Sequence, residues 1–288
     1  MTSPMTVTPA ARVTGRSLPA GGFRLHRAVG HPDPGAVAAV LRGQLAAHLV
    51  KGFVPVADCR RVARNFWALP HTARYGEGED GVEAHIVGAS HIEKTTDAYL
   101  TEVARAAPAV LGLYAGARDP LGRFRAVAAG LDEVRRVRPA AHEGRTAAGS
   151  KAVCWNSTGE YLLLPHDDLA QLSDPIQAGF EIGRVRRVMA VNAYPQVPSG
   201  AGQIQLWNVE PDDRTRAALG LTFSGYPYPG EALREHESII VPVETGDLCV
   251  INGNLVHAVR GPSAPGDRRL LLTCFTGLDP QGDLLYWT

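Results

Sequence analysis

His166 and Asp168 stand two residues apart in EYLLLPHDDLAQL, at the end of an apolar run. In a strand, side chains at i and i+2 leave the backbone on one face. This imidazole and this carboxylate can therefore take adjacent positions on one metal ion. His257, in GDLCVINGNLVHAVRGP, supplies a second imidazole at a predicted strand end after a buried run. Two imidazoles and one carboxylate cover one face of an ion and leave its other positions open. A 2-oxo acid can fill two of them through a carboxylate and its keto oxygen, and dioxygen the third. Downstream, HAVRGPSAPGDRRLLLTCF puts Arg268 eleven positions after His257 and Arg269 twelve, both opening the next predicted strand. A planar guanidinium binds a carboxylate through two parallel hydrogen bonds. Neighbouring strand residues face opposite ways, so only one of the two arginines can serve.

A bare H-x-D says little: with ten histidines and about one aspartate in twenty residues, ~0.5 matches arise by chance. His31-Pro-Asp33 is a decoy, because Asp33 is better used as a helix cap. His91-Ile-Glu93 is another, in an acidic stretch, and neither decoy ends a strand. His236 in REHES is a rival distal ligand on a polar loop, without a basic residue at the matching offset. Taken alone, His166 and Asp168 could be no more than a hydrogen-bonded pair at a strand end.

The order HDD, GDLCVINGNLVHAV, GDRRLLLTCF resembles the core of the Fe(II)/2-oxoglutarate-dependent oxygenases over about residues 150–280. That family carries an H-x-D/E pair, a distal histidine and a downstream G-x-R or similar basic position. Gly266-Asp267-Arg268 matches the last element. The resemblance implies that His166, Asp168 and His257 hold Fe(II) and that Arg268 binds 2-oxoglutarate, with Arg269 a surface or supporting residue. It implies O2 as co-substrate, ascorbate as reductant in vitro, and oxidation of an unactivated C–H bond coupled to decarboxylation of 2-oxoglutarate to succinate. The family's small-molecule and free-amino-acid hydroxylases of bacterial secondary metabolism are the nearest likeness. Hydroxylation is the expected outcome; desaturation and ring formation use the same site. Related halogenases carry Gly or Ala where Asp168 stands, so halide incorporation is not expected. Two other readings stay open. One is a cupin-like dioxygenase or isomerase that does not use 2-oxoglutarate, against which the arginine argues. The other is a non-catalytic small-molecule binding protein on the same barrel.

Other residues are candidates for the same pocket. Asn192 and Tyr194 in VMAVNAYP alternate onto one face, either against the 2-oxo acid or as core residues with satisfied polar tips. Trp207 in QIQLWNVEP and Trp155, with Asn156, are candidates for the substrate wall. Asp167 is expected to face outward or to accept hydrogen bonds behind the site. The Gly- and acid-rich stretch 75–94 reads as a long loop, and its acidic part around Glu77–Glu83 reads as a solvated loop or a candidate lid.

The elements that must position these residues change character along the chain. Residues 1–22, rich in Pro, Gly, Ser and Thr, predict a flexible arm. Residues 23–149 predict a helical part. Asp33-Pro34 opens a helix through GAVAAVLRGQLAAHLVKG, VADCRRVARNFWAL is amphipathic, Thr95/Thr96-Asp97 opens a helix to about Tyr114, and Asp119-Pro120 one to about Val137. From 150 to 288, short β-branched and aromatic runs alternate with turn residues. The resulting expectation is a mainly β fold with α: a double-stranded β-helix (jelly roll) core with flanking N-terminal helices, forming one oxygenase domain over 23–288. The chain has 288 residues, 45% of them hydrophobic, enough for a full core. Its 29 basic and 29 acidic residues cancel, which gives no bulk attraction to nucleic acid or membrane. Three lysines, Lys51, Lys94 and Lys151, stand among those basic residues. Cys59, Cys154, Cys249 and Cys274 form no C-x-x-C, so a thiolate zinc site is not expected, and the last three read as buried thiols. No signal peptide is expected from the opening residues, no run of roughly 18 apolar residues occurs in the sequence, and the cytoplasm is the expected location. The oligomeric state is not legible.

Overall fold

The structure, a computed structural model, describes residues 12–75, 82–155, 159–261 and 267–288. Local capping sets the helix starts. Asp33 accepts hydrogen bonds from the Gly35 and Ala36 amides, and Pro34 takes the first position of α1 (Pro34–Leu41), where a missing N–H costs nothing. Helix α2 (Val56–Ala68) follows. Thr95 caps α3 (Thr96–Leu113), Asp119 caps α4 (Pro120–Ala128) and Asp212 caps α5 (Asp213–Ala218).

The strands of the first half are β1 (Gly15–Arg16), β2 (Leu25–Val29), β3 (Ala47–Lys51), β4 (Thr72–Tyr75), β5 (Val82–Val87), β6 (Arg136–Pro139), β7 (Ala141–His142) and β8 (Arg145–Thr146). Those of the second are β9 (Lys151–Trp155), β10 (Tyr161–His166), β11 (Met189–Gln196), β12 (Ile204–Trp207), β13 (Glu210–Pro211), β14 (Ser238–Val241), β15 (Leu248–Asn252), β16 (His257–Arg260), β17 (Arg269–Leu278) and β18 (Asp283–Trp287). A 10-stranded sheet runs β2-β3-β15-β11-β17-β9-β5-β4, extended by β18 and β6. A 4-stranded sheet runs β10-β16-β12-β14. The fold is thus mainly β with a minority of helix.

Alternation along β17 shows how the layers form. Leu270, Leu272 and Cys274 join the buried cluster that includes Val37 and Val40 of α1, Phe66 of α2 and Phe124 of α4. Leu271 and Phe275 face the other way, into a cluster shared with Leu206 and Val259 of the smaller sheet. Helices α1, α2 and α4 therefore cover the outer face of the large sheet, and its inner face looks toward the small sheet. All four cysteines are buried free thiols.

The first half is less helical than its sequence suggests. Gly43, at φ +64°, ends the first helix, and the run expected to continue it forms β3, paired with β2 and β15. Ala47–Val50 is buried on both faces, a condition in which periodicity cannot separate strand from helix. The helix from Pro120 stops at Ala128, and β6 follows. Within the stretch 75–94 expected as a loop, residues 82–87 form β5, held between β4 and β9; residues 76–81, Glu77 among them, lie outside the described residues. The arm expected over 1–22 is fastened from residue 12 onward. Val13 and Leu18 are buried, β1 pairs with β13, and the Leu18 amide donates to Asn208 Oδ1. Residues 1–11 lie outside the description. Among the described residues no helix is long and apolar enough to cross a membrane.

Candidate active site

Antiparallel pairing of β10 with β16 places His166 opposite His257, and their ring centroids are 4.1 Å apart. His257 opens its strand instead of closing one. Asp168 follows His166 by two residues, and its amide donates to the Gly253 carbonyl at 2.8 Å. Gly253 lies so close that a Cβ there would stand 2.5 Å from Asp168 Oδ2; the NGN turn after β15 thus requires a glycine to admit the carboxylate. Nε2 of His166 is 3.8 Å from Asp168 Oδ1, and Nε2 of His257 is 3.5 Å from Oδ2. Among the described residues, these three side chains form the group whose candidate ligand atoms lie within 4.8 Å of one another.

The polar surroundings orient these atoms. Nδ1 of His166 donates to the Leu164 carbonyl at 2.8 Å, and Nδ1 of His257 to the Leu255 carbonyl at 2.9 Å. A carbonyl only accepts, so each ring carries a proton on Nδ1, and Nε2 is the atom turned toward Asp168. Burial, reinforced by the His257 imidazole, holds His166 well below the usual imidazole range. Burial pushes Asp168 up to about 6, against the pull of His257. Asp168 Oδ2 is buried without a hydrogen-bond partner. Two imidazole Nε2 atoms and a buried carboxylate oxygen without a donor fit a divalent cation, whose charge would relieve the cost of burying the carboxylate.

Asp167 does not face outward. Its carboxylate is buried and accepts from Arg216 Nε (3.2 Å) and an Arg216 terminal nitrogen (3.1 Å), from Tyr228 Oη (2.8 Å), and from the Leu169 and Ala170 amides. It ties α5 and the segment around Tyr228 to the strand end that carries His166.

The three side chains open into a cavity of about 520 Å³ between the sheets. Arg269, Leu271, Thr273 and Phe275 of β17 line it together. The arginine in this cavity is therefore Arg269, not Arg268 as the G-x-R match implied. Pairing decides it: Arg269 sits opposite Trp155 of β9, which turns the odd-numbered residues of β17 inward. Arg268, half-buried, precedes the strand and bears on His85 and Cys154. Gly266, the first residue of the match, lies outside the described residues. Arg269 donates Nε–H to the Gly202 carbonyl at 2.8 Å and lies 5.0 Å over the Tyr194 ring. Gly202, at φ +66°, makes room, since a Cβ there would meet Arg269 Cδ at 2.6 Å. Burial lowers the Arg269 guanidinium from its ordinary value, and no carboxylate of the described residues pairs with it.

Asn192 and Trp155 line the cavity as well. Tyr194 shares the face of Asn192 but is covered by Arg269, so it supports the guanidinium from behind and does not meet the cavity. Trp207 is turned away. Leu206 is the residue opposite His257, and its neighbour Trp207 packs outward with Val209, Tyr228 and Val256. Asn156 lies outside the described residues. His236 bonds instead to the Val13 carbonyl at 2.9 Å and is not part of the group formed by the triad. His91 is buried against Gln177 at 3.1 Å, while its neighbours Ser90 and Glu93 reach the cavity. Sequence reasoning passed over Lys151, which lines the cavity nearly fully buried. A signal for it existed: one of three lysines in an arginine-rich chain, standing at the head of an apolar strand.

No family model matches the chain. It is 30% identical over 247 residues to an L-isoleucine 3(1)-dioxygenase of Pantoea ananatis, covering 84% of this chain and 83% of that protein. It is 32% identical over 102 residues, 35% of each chain, to an L-gamma-glutamyl-L-propargylglycine hydroxylase of Streptantibioticus cattleyicolor. Among solved structures, an N-substituted L-amino acid dioxygenase from Burkholderia ambifaria matches 88% of this chain and 91% of its own, at a TM-score of 0.51 and 14% identity, a likeness of fold.

Proposed function

The chain belongs to the Fe(II)/2-oxoglutarate-dependent oxygenases, and we propose that it hydroxylates an unactivated C–H bond of a free aliphatic L-amino acid or a close derivative. The observation that carries this reading is the joint placement, in one cavity, of the His166–Asp168–His257 group and the buried guanidinium of Arg269. The two facing sheets are read as a double-stranded β-helix, or jelly roll. His166, Asp168 and His257 would hold the metal, their Nδ1 hydrogen bonds fixing both rings. Fe(II) held there would supply the oxidative chemistry, with 2-oxoglutarate and O2 as co-substrates. Arg269 would take the far carboxylate of 2-oxoglutarate through its terminal N–H groups, with Asn192 beside it. Ile86, Val153 and Phe275 form apolar walls that exclude water and suit an aliphatic chain. The relative's substrate, L-isoleucine, has such a chain. A cupin-like enzyme without 2-oxoglutarate would have no use for a buried arginine at this place.

The test is a succinate-release screen of purified protein with Fe(II), ascorbate, oxygen and 2-oxoglutarate against single L-amino acids. Isoleucine, leucine or valine should accelerate succinate release and gain one oxygen atom by mass spectrometry. If no amino acid accelerates it, the substrate reading is wrong; if 2-oxoglutarate is never consumed, so is the reaction class.

A further inference from the structure

The cavity holds a second buried cation. Lys151 begins β9 opposite Thr273, and Trp155 of the same strand lies opposite Arg269. The two cationic residues are therefore four positions apart along the register, about 13 Å at the rise of a β-strand. A diacid held by Arg269 and directed at the triad leaves Lys151 for another ligand. Nζ of Lys151 donates to Ser90 Oγ at 2.8 Å and lies 5.7 Å from the centroid of the Phe275 ring. Lys51 pairs with Glu244 and Asp247, and Lys94 with Glu102; Lys151 has no carboxylate partner among the described residues. Its placement constrains the neighbouring strand, because Gly88, at φ +121°, leaves space where a Cβ would stand 2.8 Å from Lys151 Cβ. A buried ammonium without a directly paired anion is costly. Burial and the nearby Lys94 charge pull this amine down to about 7, against the weaker pull of the Asp168 carboxylate, a cost that an arriving anion would offset.

We propose that Lys151, with the Ser90 hydroxyl beside it, is the anchor for the substrate's carboxylate, and so sets which carbon of the apolar chain faces the metal centre. The proposal rests on the amino-acid oxygenase reading. It assigns to the substrate an anionic head held at the β5–β9 side and an aliphatic tail lying against Ile86, Val153 and Phe275, all of which line the same cavity.

The experiment compares L-isoleucine with L-isoleucinamide, which keeps the ammonium and side chain and lacks the carboxylate. Binding is read by calorimetry with Mn(II) and 2-oxoglutarate in the absence of oxygen, on wild type, Lys151→Met and Lys151→Arg. Wild type should favour the acid by roughly 10- to 100-fold, the worth of a charge-assisted contact. Lys151→Met should bring the two ligands within about threefold of each other, and Lys151→Arg should restore part of the preference. A structural defect would weaken both ligands alike and leave their ratio unchanged. Lys151→Gln, which can still bond Ser90, serves for the same comparison if the methionine variant does not fold. Retention of the acid preference in the neutral variants overturns the proposal, as does a larger loss of 2-oxoglutarate affinity than of isoleucine affinity. Failure of wild type to bind either ligand refutes the amino-acid reading instead, and the anchor with it.

Discussion

Replacing Arg269 by Gln should weaken 2-oxoglutarate far more than the same change at Arg268. The guanidinium of Arg269 is buried on the cavity side, with Nε committed to the Gly202 carbonyl and no carboxylate partner among the described residues. One terminal nitrogen reaches Tyr194 Oη at 3.5 Å, and the remaining terminal N–H groups are the donors open to a diacid. Losing a bidentate charge-assisted contact costs about 1.5–3 kcal/mol, or roughly 10- to 100-fold in affinity. Gln keeps a polar side chain over Tyr194 and removes a buried cation, so the melting temperature should hold while affinity falls. Arg268 is half-buried and does not line the cavity, so its replacement should change 2-oxoglutarate affinity by less than about fivefold. The assay is the apparent KM for 2-oxoglutarate by succinate release, beside direct titration in Mn(II). A larger effect at Arg268, or small equal effects at both positions, would refute the argument from β17 register. A collapse of thermal stability in Arg269→Gln would mark the arginine as a structural residue.

His257→Ala and Asp168→Asn should each reduce bound iron to background while the protein still melts cooperatively, and His236→Ala should keep its iron; wild-type iron content in His257→Ala would overturn the ligand set. Asp167→Ala leaves the buried Arg216 guanidinium without its bidentate partner and should lower unfolding stability by about 3–5 kcal/mol in urea titration; a loss below about 1 kcal/mol would contradict the clamp. Burial holds His91 neutral and pulls its imidazole down to about 3. The unfolded chain takes up that proton from about pH 6.5 downward, so the stability His91 contributes is present above 6.5 and is lost as pH falls toward 3. Between pH 7 and 5 the loss is about 2 kcal/mol, and His91→Gln should flatten this limb; parallel curves for the two proteins would exclude His91 as its source.

Several features of the site are local, and local patterns in the sequence carry them. The His-x-Asp spacing is legible as a motif, although Asp168 lies in the bend after β10 ends at His166 and is set by its amide bond to the Gly253 carbonyl. The strand's period gives the rule that only one of Arg268 and Arg269 can turn inward. Asp33, Thr95 and Asp119 cap their helices through side-chain bonds to amides two or three residues on, and these contacts depend on nothing distant. What remained depends on pairing between remote segments. Arg269 was chosen over Arg268 by its register against Trp155, a residue more than a hundred positions away, which no offset from His257 can encode. Trp207 was turned outward because Leu206 pairs with His257. Ala47–Lys51 became a strand because β2 and β15 offered it hydrogen bonds, although its apolar run suits a buried helix equally well. Lys151 acquired its place from β5 and Ser90, in a stretch whose composition reads as loop. Side-chain period and capping are properties of a few consecutive residues; register, and the choice of which face is covered, arise only when distant strands share their hydrogen bonds.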